Sequence, residues 1–260
     1  MTLLEAIVLG IAQGLTEFLP VSSSGHLVLL QKLFGITDHV LAVSVMMHFG
    51  TLFSVVVYYR RKILEMLKKP FSRFNILVVL TAVPAALVGI LFSDFFDSVY
   101  SSGRLLGFSF LLTALILWLS GRSTGSGRKE EALGVADSLT VGLAQCLAIL
   151  PGVSRSGTTI SAGLFRGIDR ELAAMFSFLN SIILIAGATA LELPDMFSGG
   201  IGIPAHILLA GFLVSFATGY AAIAFMVNLL KTRSLRPFAW YVGALGILVL
   251  ADQFIFRIFF

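Results

Sequence analysis

Two short stretches hold most of the reactive side chains of this 260-residue chain: "QGLTEFLPVSSSGH" (13–26) and "LPGVSRSGTT" (150–159). Gln13 and Glu17 are four residues apart, so on a helix both project from one face. A carboxylate there could bind a divalent metal, act as a general base or neutralise a nearby cation. Pro20 lacks an amide proton and disfavours helix at Leu19, so a first half-helix should end near Phe18. Ser22, Ser23 and Ser24 can cap a second half-helix, whose free amides and positive dipole end attract anions. Ser23 and His26 lie about one helical turn apart, a spacing at which hydroxyl and imidazole can cooperate. The second stretch repeats this arrangement with Ser154, Ser156 and Thr159, and places Arg155 where the first has Ser23. The planar fork of an arginine suits phosphate oxygens.

These polar groups sit in a chain that is 57% hydrophobic and only 12% charged, a composition of integral membrane proteins rather than soluble domains. Apolar runs at 39–59, 75–93, 105–120, 171–191, 206–230 and 238–256 each approach the roughly 20 residues needed to cross a bilayer. The expected fold is therefore all-α, a polytopic helical bundle with six full spans. The segments 3–36 and 136–168 each contain two apolar pieces too short to span, and are expected to be re-entrant helical hairpins. No basic cluster precedes the first apolar stretch, so the N-terminus does not read as a cleaved signal peptide. The single cysteine, Cys146, reads as a small packing residue, and the net charge of +4 as a signal of orientation.

Basic residues concentrate at 60–73, 121–129 and 231–236, whereas the turns carrying Asp94 and Asp97, or Glu192 and Asp195, lack nearby lysine. The positive-inside rule then makes the basic loops cytoplasmic and both chain ends external. At a constant offset of 132, ten residues between Gly10 and Ile36 recur between Gly142 and Ile168 without a gap, which indicates an internal duplication. Combined with the loop charges, this predicts two inverted halves, 1–121 and 136–260, joined by a cytoplasmic connector at 122–135. Each half would be one hairpin plus three spans. Such repeats place their binding site near the midplane, where the broken helices meet. His48 is expected first as a hydrogen-bonded bundle histidine and second as a substrate contact, His39 and His206 are expected to lie at external ends, and Gly10 and Gly14 to mark close helix packing.

The pair of motifs resembles the undecaprenyl-diphosphate phosphatases, also called the bacitracin-resistance proteins. Their signatures are an (E/Q)xxxE segment followed by a serine-rich turn and Gly-His, here "QGLTE" and "PVSSSGH", and PGxSRSxxT, here "PGVSRSGTT". The resemblance covers essentially the whole chain. It implies hydrolysis of the terminal phosphate of a C55 isoprenyl diphosphate in the bacterial plasma membrane, at a site opening outward and assisted by a divalent cation such as magnesium. The positions that match the family's motifs are Gln13, Glu17, Ser23, His26, Ser154, Arg155 and Thr159; taken with the two helix breaks read as an anion site, the expectation is Gln13, Glu17, Ser23 and His26 as catalytic residues, Glu17 also as a metal ligand, and Arg155, Ser154, Ser156, Thr159, Ser22 and Ser24 as substrate-binding. The expected partners are the lipid diphosphate and bilayer lipid, with a second copy of the chain as a candidate and no nucleic acid. A second membrane lipid phosphatase pattern, SGH with SRxxxxxH, fails because its last position is Ser161. A transporter or flippase of polyprenyl phosphate lipids is the alternative function, since inverted repeats with broken helices are common in transporters.

Overall fold

The computed structural model describes residues 1–36, 40–121, 127–198 and 202–259, with the side chains of 40–42 and 195–198 left out. His39 and residues 122–126 of the connector therefore lie outside the described residues, as does the side chain of Asp195. The described residues fold into α-helices, with no strand among them beyond an isolated bridge between Arg128 and Ile168.

Helix α1 (Leu3–Phe18) starts with a reciprocal cap: the Thr2 amide donates to Glu5 Oε2 at 2.7 Å and the Glu5 amide to Thr2 Oγ1 at 3.3 Å. It ends at Phe18, as the pre-proline restriction on Leu19 requires. Helix α2 (Ser23–Phe34) is capped by Ser22 and closed by Gly35 in the left-handed region. The corresponding break in the second half separates α8 (Val135–Cys146), continued by a 3₁₀ turn to Ile149, from α9 (Arg155–Phe165), capped by Ser154. The first residues of α2 and α9 are separated by the same offset as the sequence repeat.

The longer helices are α3 (Val40–Tyr58), α5 (Arg73–Leu91), α7 (Leu106–Ser120), α10 (Arg170–Ser198), α11 (Ala205–Thr232) and α12 (Arg236–Ala251), with the short α4 (Arg60–Lys68) and α6 (Ser93–Ser102) between them. Among the described residues, four stretches are long and apolar enough to cross a membrane alone: Arg73–Leu91, Arg170–Pro194, Ala205–Thr232 and Arg236–Phe256. The α6–α7 pair passes the same test together but bends by 105°. By this measure the described residues give four or five; α3, expected as a further span, enters the test only from Val43. Leu87, Ile90, Leu91, Trp240, Ile247 and Leu248 expose large apolar surface, as lipid-facing helices do.

Packing crosses between the halves. Helix α1 lies against α11, and α8 lies against α5. Helices α7 and α12 pair with each other, as do α3 and α10. Gly10 and Gly14 permit the first contact: a Cβ on Gly14 would fall 2.6 Å from the Ser215 carbonyl, inside van der Waals distance. The described end of the connector docks on the α9–α10 turn, where Asp137 accepts from Arg128 Nη2 and Arg166 Nε, each at 2.8 Å. Phe18 and Phe178 meet edge-to-face in the core beneath the first break, with centroids 5.4 Å apart.

Candidate active site

The two helix breaks meet. Ser156 Oγ, in the second, donates to the Leu19 carbonyl of the first at 3.0 Å. Gly25 faces Gly152 so closely that a Cβ on Gly25 would fall 3.1 Å from the Gly152 Cα and 2.5 Å from the Phe110 ring. Gly152 itself has φ +93°, a conformation that favours glycine. Thr113 of α7 pins this second turn, donating to the Gly152 carbonyl and accepting from the Ser154 amide, both at 3.0 Å. The N-termini of α2 and α9 thereby point into one cavity of about 210 Å³.

Glu17 is the hub of that cavity. Its Oε1 accepts from Arg155 Nη2 at 2.5 Å, and its Oε2 accepts from Ser23 Oγ at 2.6 Å and Gln13 Nε2 at 3.2 Å. Glu17 is 7% exposed and Arg155 15% exposed. The pair is therefore largely desolvated, and either charge alone would be costly there. The serine, carboxylate and guanidinium form a continuous hydrogen-bonded chain across the two halves, with the hydroxyl and the cation both at the cavity wall.

Six of the residues singled out in the sequence line the cavity: Glu17, Ser22, Ser23, Ser24, Ser154 and Arg155. Ser22 and Ser154 also cap their helices, accepting from the Gly25 and Gly157 amides at 3.3 and 3.0 Å. Four others stand behind it. Gln13 is fully buried under Glu17, and its Oε1 has no hydrogen-bond partner among the described residues. Ser156 joins the two turns, and the buried Thr159 bonds the Arg155 carbonyl and Ser177 Oγ at 2.8 and 2.6 Å. Their hydroxyls are used within the protein. His26 is not paired with Ser23: its Nδ1 donates to the Ser22 carbonyl at 2.7 Å, and its Nε2 meets the Tyr241 hydroxyl at 2.8 Å. The one-turn spacing places the two residues on neighbouring positions, but the imidazole turns back along its own helix.

The imidazole at the cavity is instead that of His48 on α3. Its Nδ1 lies 2.8 Å from the Ser44 carbonyl, which only accepts, so Nδ1 carries a proton and Nε2 is the ring atom left toward Glu17. That atom is 4.0 Å from Glu17 Oε2, too long for a direct hydrogen bond. Nothing in the sequence around His48 distinguishes this placement from a histidine facing another helix. Tyr100 of α6 and Glu192 of α10 line the same cavity, on stretches expected as turns but folded as helix, as do the apolar Leu184, Ile185 and Ala188 of α10.

The duplicated break lacks this chemistry. Gln145, the counterpart of Gln13, accepts from Asn180 Nδ2 at 2.6 Å, and the counterpart of Glu17 is Ile149. One half supplies the carboxylate and serine; the other supplies the guanidinium.

The chain matches the family model described as bacitracin resistance protein BacA over residues 6–248. It is 45% identical over 252 residues to the undecaprenyl-diphosphatase of Carboxydothermus hydrogenoformans, covering 96% of this chain and 97% of that one. It is 42% identical over 255 residues to undecaprenyl-diphosphatase 4 of Bacillus cereus strain ZK / E33L, covering 98% of each. The corresponding protein of Rubrobacter xylanophilus is 43% identical over 265 residues, covering 96% of this chain and 97% of the relative. With matches of this extent, and with both motifs brought together at one cavity, the chain belongs to the bacitracin resistance protein BacA family.

Proposed function

We propose that this protein is the membrane phosphatase that hydrolyses undecaprenyl diphosphate to the monophosphate and inorganic phosphate, recycling the lipid carrier used in cell-wall synthesis. The observation that carries the reading is the Ser23–Glu17–Arg155 chain, set at the convergence of two helix N-termini. Amide-rich helix starts and a guanidinium suit a diphosphate. The apolar wall from α10 suits the first isoprene units of its tail.

In the proposed reaction Ser23 Oγ attacks the terminal phosphorus and its proton passes to Glu17 Oε2. The bond from phosphorus to the bridging oxygen breaks, and its electron pair leaves on the lipid monophosphate. Water then attacks the phosphoserine, giving its proton to His48 Nε2, while Glu17 returns its proton to Ser23 as the phosphate departs. Arg155 and the helix amides hold the phosphoryl oxygens throughout. Phosphoryl transfer of this kind depends mainly on positioning and charge neutralisation.

A divalent cation fits as a companion of the substrate. Magnesium is typically held by one or two carboxylates, with water and substrate phosphates filling the remaining positions. Glu17 supplies one carboxylate and Gln13 Oε1 is a buried, unpartnered carbonyl oxygen beside it, whereas no cluster of three His, Cys, Asp or Glu forms among the described residues. Glu17, at the cavity wall, would hold the ion, which would neutralise diphosphate charge.

The same reading places the chain in the bacterial plasma membrane as two inverted repeats, with α3 and α7 completing six spans and the two broken segments as re-entrant hairpins. The exchange of packing partners between halves supports this arrangement. The basic loops face the cytoplasm, both termini face outward, and the cavity opens outward on the side of Tyr100 and Glu192.

Purified protein in detergent, given farnesyl diphosphate with magnesium or with chelator, tests the activity without membrane asymmetry. Phosphate release that stops with chelator is expected, and no release under either condition overturns the reading in favour of transport. Near-normal turnover by Ser23→Ala would remove the serine from the nucleophile's role.

A further inference from the structure

We propose that His26 and Tyr241 are positioning residues: the Tyr241 hydroxyl fixes the His26 imidazole, and the imidazole fixes the Ser22 peptide so that α2 begins with Ser23 in reach of Glu17. This rests on the reading of Ser23 as nucleophile, and assigns the histidine of the first motif to geometry rather than proton transfer.

Ser22 has φ +70°, and Arg257 is the other described non-glycine residue at positive φ. An L-residue adopts this conformation at a cost and holds it when its surroundings over-determine it. The surroundings here are specific. The Ser22 carbonyl accepts twice from His26, from its backbone amide at 3.3 Å and from Nδ1 at 2.7 Å. Since a carbonyl only accepts, Nδ1 bears the proton, and Nε2 of the neutral ring accepts from the Tyr241 hydroxyl at 2.8 Å.

Both ring nitrogens are thus occupied, and the ring is walled on two sides. Tyr241 lies nearly parallel to it, at an interplanar angle of 16°, and Phe110 meets it edge-on with centroids 5.7 Å apart. His26 does not line the cavity. To reach Ser23 Oγ the ring would have to abandon Ser22 or Tyr241. Ser23, one residue beyond the held peptide, already has its proton acceptor in Glu17 at 2.6 Å. Tyr241 belongs to α12, so the last long helix of the chain sets the turn in the first hairpin.

A conservative series separates positioning from proton transfer. Asparagine places an amide donor near the position of Nδ1 and can bond the Ser22 carbonyl, yet it exchanges no proton near neutral pH. For His26→Asn, kcat on farnesyl diphosphate should stay within about tenfold of wild type, while His26→Ala loses about 10²-fold or more. Tyr241→Phe, which keeps the ring but deletes one neutral hydrogen bond, should lower kcat by about 3- to 10-fold with KM unchanged. A proton-transfer role for His26 predicts instead that Asn and Ala are equally impaired, by about 10²- to 10⁴-fold. Equal loss in those two, or a Tyr241→Phe enzyme indistinguishable from wild type, overturns the proposal. Should His26→Ala not fold, the asparagine and phenylalanine variants still decide it. Ser23→Ala measured alongside reads the nucleophile separately: if that variant turns over normally, the nucleophile reading fails whatever the histidine series shows.

Discussion

Truncating Arg155 to alanine removes the cation that faces Glu17 at 2.5 Å, in a site where the carboxylate is 7% exposed. Removing one partner of a buried ion pair costs about 3–5 kcal/mol, because the remaining charge is left uncompensated. The 210 Å³ cavity beside it admits water, so the lower end, about 3 kcal/mol, is expected. The other Arg155 contact, to the Ser177 carbonyl at 3.5 Å, adds little. At this chain size the loss corresponds to roughly 6–12 °C in melting temperature. Neutralising the orphan by Glu17→Gln in the same chain should recover about 2 kcal/mol or more, so the two substitutions are non-additive. Activity will not follow stability. Both variants lack the guanidinium proposed above to grip the phosphates, and the loss of two charge-assisted bonds there should lower kcat/KM by about 10²- to 10⁴-fold. Thermal unfolding in detergent micelles, followed by the fluorescence of the packed Trp118–Trp240 pair, measures the first quantity and phosphate release the second. If Arg155→Ala melts within about 2 °C of wild type and its effect adds to that of Glu17→Gln, the pair is not the hub of the site. Wild-type turnover by Arg155→Ala would refute the anion site itself.

Three further outcomes are expected. His48→Gln should lower kcat by roughly 10²-fold with little change in KM, and phosphate-release kinetics showing normal kcat would take His48 out of the reaction. Gly25→Ala forces a Cβ to 2.5 Å from the Phe110 ring, so melting should show a loss of about 1–3 kcal/mol, accompanied by a fall in turnover; an unchanged melt would mean that the two breaks tolerate separation. Thr113→Val removes both bonds to the second turn and leaves the Gly152 carbonyl and Ser154 amide unpaired, costing about 2–4 kcal/mol by thermal unfolding, and normal stability would show that other contacts hold that turn.

The long helices are legible in the sequence because bilayer crossing imposes a length: the apolar runs at 39–59 and 206–230 correspond to α3 at 40–58 and α11 at 205–232. The break between α1 and α2 is equally plain, since Pro20 stops one helix and Ser22 caps the next. Side-chain direction is less accessible. In a membrane protein the lipid-facing and core-facing sides are both apolar, so periodicity does not tell which way a polar residue turns. Hence Ser156 and Thr159, expected on the substrate, bond within the protein, whereas His48, expected first in the bundle, faces the cavity. His26 turns away from Ser23 because an i to i+3 spacing fixes proximity along a helix but not the rotamer chosen against Tyr241, which lies 215 residues away in the chain. The short α4 and α6 are hidden within the polar connections between spans, since neither is long enough to carry a spanning signature.

Crossed packing also orders events during synthesis. As the chain leaves the ribosome, α1 emerges well before the helix it lies against, which begins at residue 205. The Glu17 carboxylate likewise waits for residue 155 before it meets its cation. A ribosome adds about 5–20 residues per second, so the first hairpin spends roughly ten seconds or more without its native neighbours. During that interval it has neither the walls nor the charge balance of the finished cavity, which is assembled only after α9 and α11 have been made.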